Sequence, residues 1–239
     1  MSTQNSKKST PAKCRSSKSA AVRKKFEYSD LTLILIVIGI IGVAILAGNL
    51  VKKNNASQPP IATTEVSFKQ YDAAPEMTID TTKQYLATVK MAKGSEFVIQ
   101  LFPDKAPVTV NNFVFLARDG YFDGVTFHRV LEGFMAQTGD PTGTGGGGPG
   151  YQFENEVSDL EYDREGVVAM ANAGRNTNGS QFFVTFAPVP LEAYDYTIFG
   201  QVISGMDVVK SITLRDPKKN PDYTGDVIES IIITEQDYR

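Results

Sequence analysis

The chain has 239 residues, 41% of them hydrophobic and 10% aromatic, which allows one ordinary domain with appendages. Eight of its 24 basic residues but only two of its 27 acidic ones fall in residues 1–30, so the rest carries a net charge of −9 and offers a poor surface to nucleic-acid phosphates. The single cysteine, Cys14, excludes an intrachain disulfide and a thiolate zinc cluster.

Residues 1–25 are rich in Ser, Lys and Thr with little to bury, and 1–30 reads as a basic, disordered tail. The run "LTLILIVIGIIGVAILAGNLV", Leu31 to Val51, holds no charged residue over 21 positions. At about 1.5 Å per residue, such a helix crosses a hydrocarbon core roughly 30 Å thick. A cleavable signal peptide is the rival reading, but its apolar region is normally shorter and no clean A-x-A site follows. The positive residues before Leu31 place the amino terminus in the cytoplasm. The chain is therefore expected in the cell membrane as a single-pass protein, with its body on the extracytoplasmic side. Residues 52–80, broken by Pro59, Pro60 and Pro75, read as a flexible linker.

A domain is expected over 81–239. "YLATVKM" and "EFVIQLF" alternate like half-buried strands joined by a tight turn at Lys93-Gly94. "APVTVNNFVFLARDG" reads as a helix, with Pro107 in its first turn and Gly120 at its end. Short strands are expected at Thr126–Val130, Met135–Thr138, Val167–Ala171, Phe182–Phe186, Thr197–Val202 and Val227–Thr234. A short helix over Met206–Ile212 separates the last two. Many strands with two helices predict a closed or sandwiched antiparallel sheet.

Several chemistries are poorly served by these residues. His128 is the only histidine, and a strand would point it away from its neighbour Arg129, so a histidine-based triad is disfavoured. "GDPTGTGGGGPGY" lacks the GK[ST] of a phosphate loop and reads as a flexible surface loop. Asp195, Asp216, Asp222 and Asp226 form no metal-binding spacing. No metal or cofactor is expected. What remains is Arg129 within an apolar stretch, Phe134, Met135 and Gln137 close behind it, and the amide-rich run "MANAGRNTNGSQFF". Buried amides need partners, and a bound peptide backbone is a natural one.

The segments "FHRVLEGFMAQTGDPTGTG", "MANAGRNTNGSQFFVTFAP" and "TIFGQVISGMDVV" resemble the cyclophilin family of peptidyl-prolyl cis/trans isomerases, over about Lys83 to Thr234. The resemblance implies an eight-stranded antiparallel closed β-barrel with two capping helices. It implies Arg129 as the catalytic group and Phe134, Met135 and Phe183 as the proline pocket. Gln137, Asn172 and Gln181 would make polar contacts, with Ala171 and Ala173 lining the groove. Leu191 would supply an apolar wall, and Tyr196 stands where the family often has histidine. The chain has no tryptophan. It departs there from the best-known eukaryotic members, which suggests a bacterial-like member and weakens the expectation of cyclosporin-class binding. The implied function is isomerisation of X-Pro bonds in exported, folding polypeptides by a monomer. A proline-peptide binding module, or a holdase with incidental catalysis, is the alternative.

Overall fold

The computed structural model describes residues 68–219 and 221–237. The expected tail, the expected membrane span Leu31–Val51 and the first part of the expected linker lie outside these residues. Among the described residues no helix is long and apolar enough to cross a membrane.

Strands β1 (Gln84–Met91) and β2 (Glu96–Leu101) form an antiparallel hairpin whose alternating burial matches their period-two sequence. Gly94 turns it at φ +85°. Helix α1 (Pro107–Arg118) opens on Pro107, whose missing N–H costs nothing in a first turn. The carboxylate of Glu156, from a distant loop, accepts hydrogen bonds from the first-turn N–H groups of Val108 and Thr109, which have no partner within the helix, at 2.9 and 2.8 Å. The buried face of α1 includes Val110, Phe113, Val114 and Leu116.

The remaining strands are β3 (Arg129–Leu131), β4 (Met135–Thr138), β5 (Val167–Met170), β6 (Phe182–Thr185), β7 (Ile198–Ser204) and β8 (Ile228–Gln236). A short helix α2 (Met206–Lys210) follows β7. The strands form one antiparallel sheet in the order β3-β4-β6-β5-β7-β2-β1-β8. Its main core gathers Tyr85, Phe97, Phe113, Phe122, Phe127, Phe182 and Phe199. Phe113, Phe122 and Phe182 meet at centroid distances of 5.3–5.6 Å, two of the three pairs edge to face.

Two expectations need correction. The sheet curls, but its ladder does not close: β3 and β8 are its two edges. β3 offers only three residues, and the main chain of Val130 is already bonded to Arg215 in an isolated bridge. A second single bridge, Thr126 to Val227, holds the other side. For the same reason the expected strand Thr126–Val130 shrinks to start at Arg129. Phe127 N donates instead to Asp226 O at 2.8 Å, so the chain meets the carboxyl-terminal segment before it joins the sheet.

Candidate active site

Register builds the site. Arg129 stands opposite Gln137 across β3 and β4, and Gln137 stands opposite Phe183 across β4 and β6. Directly opposed side chains share one face of a sheet, as do residues two apart on a strand. Arg129, Met135, Gln137 and Phe183 therefore converge on one face. Val130, Ala136 and Phe182 alternate onto the other and enter the core. The charged arginine in an apolar segment is explained by this alternation.

On the site face, the Arg129 guanidinium donates from Nη1 to Gln137 Oε1 at 3.2 Å. Its Cζ lies 5.8 Å from the Phe134 ring centroid, within cation–π range. Gln137 Nε2 donates to Gln181 Oε1 at 2.9 Å, and Gln181 Nε2 donates to the carbonyls of Gly145 and Gly147 at 3.0 and 2.9 Å. One chain of amides thus runs from the glycine-rich loop to the arginine and sets the orientation of each member.

That loop is more than a surface excursion, which corrects the reading of 139–151. The carboxylate of Asp140, fully buried, accepts from Thr142 N, Gly145 N and Gly147 N at 2.7, 2.6 and 3.1 Å, and from Thr142 Oγ1 at 2.7 Å. Burial alone would raise the Asp140 pKa, but the bonds from Thr142, Gly147 and Gly145 prevail and hold it below the usual carboxylate value. The signal in the sequence was the Asp-x-Thr spacing of an Asx-turn.

The apolar half of the site is a second cluster, packed apart from the main core. Met135 and Phe183 are buried there, with Phe134, Leu191 and Tyr196 half-buried against them. Phe183 meets Tyr196 edge-on at 6.0 Å and stacks on Tyr162 at 6.1 Å. Tyr162 was not expected in the site. Its hydroxyl donates to Tyr196 O at 2.9 Å, which helps to fix the wall that Leu191 and Tyr196 form.

A cavity of about 750 Å³ adjoins this pocket and is lined by Gln137, Ala171, Asn172, Ala173 and Gln181, among others. The structure therefore brings together all the expected site residues, five on the amide side and six around Arg129 and the apolar cluster. Asn172 differs in how it participates. Its side-chain amide donates to Asp195 O at 2.8 Å and its Oδ1 accepts from Gly174 N at 3.2 Å. The side chain holds the loop, and the main chain of residue 172 is what it leaves for a ligand.

His128 faces away from this groove. It is only 2% exposed, and neither ring nitrogen has a hydrogen-bond partner among the described residues. Burial depresses its pKa, opposed by Asp140 and assisted by Arg215 and Arg129. The folded state therefore disfavours the proton that the unfolded chain accepts near pH 6.5. Stability is complete above that pH and falls as the pH drops below it. Thermal unfolding midpoints are expected to decrease between pH 7.5 and 5.5, and to decrease less in His128→Phe. A midpoint that rises on acidification would contradict this.

The fold and this groove define a class: a curled antiparallel β-sheet protein that carries an apolar pocket with one guanidinium at its mouth. Comparison with known proteins makes the class specific. Residues 86–234 match the family model described as cyclophilin type peptidyl-prolyl cis-trans isomerase/CLD. The peptidylprolyl isomerase domain and WD repeat-containing protein 1 of Mus musculus is 53% identical over 127 residues, which is 52% of this chain but only 19% of that protein. The peptidyl-prolyl cis-trans isomerase-like 1 of Emericella nidulans is 50% identical over 131 residues, covering 53% of this chain and 80% of the relative. A crystal structure of a Cryptosporidium parvum cyclophilin type peptidyl-prolyl cis-trans isomerase superposes with a TM-score of 0.57 at 34% identity, covering 63% of this chain and 98% of that one. The chain belongs to the cyclophilin-type peptidyl-prolyl cis-trans isomerase family. These relatives are eukaryotic, and the expected bacterial-like character finds no support among them.

Proposed function

We propose that the domain isomerises X-Pro bonds in polypeptides and that Arg129 is its catalytic group. The observation that carries this reading is a guanidinium held by Gln137 at the mouth of an apolar pocket. A related Cryptosporidium parvum structure was determined in the presence of the dipeptide Ala-Pro. That supports a proline-sized ligand for the pocket here.

The chemistry follows from the amide bond. Donation from nitrogen into the carbonyl gives a rotation barrier of roughly 18–20 kcal/mol. Any group that draws the prolyl nitrogen lone pair out of that resonance lowers the barrier. Guanidinium stays charged at all relevant pH and presents a rigid fork of donors. In this reading Phe134, Met135 and Phe183 grip the proline ring, with Leu191 and Tyr196 as its far wall. Gln137, Gln181 and the main chain of Asn172 hold the flanking peptide, and Ala171 and Ala173 leave room for it. Arg129 binds the substrate carbonyl and approaches the pyramidalising nitrogen. An acceleration of 10⁵-fold would need about 7 kcal/mol of preferential transition-state binding. A pure binding module or holdase explains the pocket and a carbonyl contact, but it needs no group that approaches the prolyl nitrogen.

The same reading places the domain outside the cell membrane, tethered by Leu31–Val51, where it acts as a monomer on exported chains. The apolar run and its positive flank support this. Protease added to intact cells is expected to release a fragment that accelerates X-Pro exchange in a test peptide. Full protection of the domain would contradict the tether's orientation. A released fragment with no activity would contradict the isomerase reading.

A further inference from the structure

The described part of the expected linker, 68–80, lies against the domain, and its first residues reach the groove. Lys69 forms an ion pair with Asp119 at 3.0 Å, and the Tyr71 hydroxyl donates to the same carboxylate at 2.7 Å. The Tyr71 ring packs among Phe115, Tyr121 and Tyr151 at 5.2–6.3 Å. Tyr71 N donates to Pro149 O at 2.8 Å. Gly150 permits that approach: at φ +99° it has no Cβ, which would stand 2.6 Å from Tyr71 O. The strap so anchored sets Gln70 into the lining of the cavity beside the proline pocket.

No charged side chain lines that cavity, and four glutamines do: Gln70, Gln137, Gln152 and Gln181. Gln152 is exposed and its side chain forms no hydrogen bond among the described residues, so nothing there fixes its amide in one orientation. Gln137 and Gln181 are consumed by Arg129, by each other and by the glycine-rich loop. Gln70 Nε2 is likewise engaged, with Gly148 O at 2.7 Å and Lys69 O at 3.1 Å. Gln70 Oε1 accepts no hydrogen bond among the described residues. Gln70 is exposed, but its two Nε2 bonds fix the amide, so Oε1 offers a directed acceptor at the cavity's edge to a ligand that supplies a donor.

We infer that Gln70 is a specificity-determining residue, supplied by the strap, that selects substrates with a neutral hydrogen-bond donor on a side chain flanking the X-Pro pair. Serine, asparagine or glutamine in that flanking place fits an uncharged lining; glutamate does not. The inference rests on the isomerase reading.

Its test compares the purified full chain with Gln70→Glu and Tyr71→Ala, on peptides that carry Gln, Lys or Glu at each position flanking one X-Pro bond. The parent should favour Gln over Glu at one of these positions. Gln70→Glu places an anion where the neutral acceptor stood. At that position it should raise the Lys-to-Glu ratio of kcat/KM by about fivefold, the scale of one partly screened ion pair. Tyr71→Ala loosens the strap outside the cavity and should not create the Lys preference. An unchanged ratio in Gln70→Glu at every position would overturn the inference. So would a ratio that Tyr71→Ala reproduces, since strap loosening would then account for it. A parent that fails to accelerate exchange would instead overturn the isomerase reading, and the inference with it.

Discussion

Arg129→Ala is expected to slow X-Pro isomerisation by about 10²–10³-fold, the usual loss when one transition-state donor leaves a partly desolvated site. Peptide affinity should fall much less, because Met135, Phe183 and the amide wall remain. Arg129 sits on an exposed-facing position of a three-residue edge strand, and its removal leaves Val130 and the core behind it untouched. Arg129→Lys keeps the charge but loses the planar fork that reaches Gln137, so it too should be impaired. Kinetics on one peptide, with affinity measured in parallel, separates the two effects. A variant that is folded and isomerises near the parent rate would remove Arg129 from the mechanism.

The second large effect is structural and falls on the same site. Gly139 joins β4 to the glycine-rich loop at φ +87°, and a Cβ there would lie 2.2 Å from Ser180 O and 2.8 Å from the Cα of Gln181. Both are main-chain atoms next to β6, which cannot swing aside like a side chain. Gly139→Ala is expected to cost about 3 kcal/mol of stability, from left-handed strain together with overpacking. The backbone that yields carries Gln181, so the bond to Gln137 and the hold on Gly145 and Gly147 should fail with it. Chemical denaturation, with kcat/KM on the folded fraction, measures both losses. A variant with the parent's midpoint would show that the close approach carries no strain.

Much of this arrangement was legible in the amino-acid order. Alternation revealed β1 and β2, and Pro107 with Gly120 bracketed α1, because those signals are local. His128 and Arg129 were separable by side-chain alternation alone. Long-range features were not legible in the same way. The open edge between β3 and β8 depends on Arg215 reaching Val130, which no local pattern announces. Asn172 reads as a ligand contact by type, yet its amide is spent on Asp195 O, a partner 23 residues away. The loop after Gly139 looked loose because glycine dominates it; one buried carboxylate, Asp140, supplies the order. Residues 68–72 looked like linker because their anchors, Asp119 and Pro149, lie far along the chain.

The central claim is that the groove lowers the rotation barrier of a bound X-Pro bond and that Arg129 is the group that does so. NMR exchange spectroscopy on an Ala-Pro-containing peptide tests it most directly, because it reads binding and cis–trans exchange in one sample. Uncatalysed exchange takes tens to hundreds of seconds. With the parent chain, exchange should become fast enough to give cross-peaks between the cis and trans signals, while with Arg129→Ala at equal concentration the peptide should still bind but exchange should be about 10²–10³-fold slower. Binding by the parent without accelerated exchange, or equal exchange by parent and variant, would contradict the account.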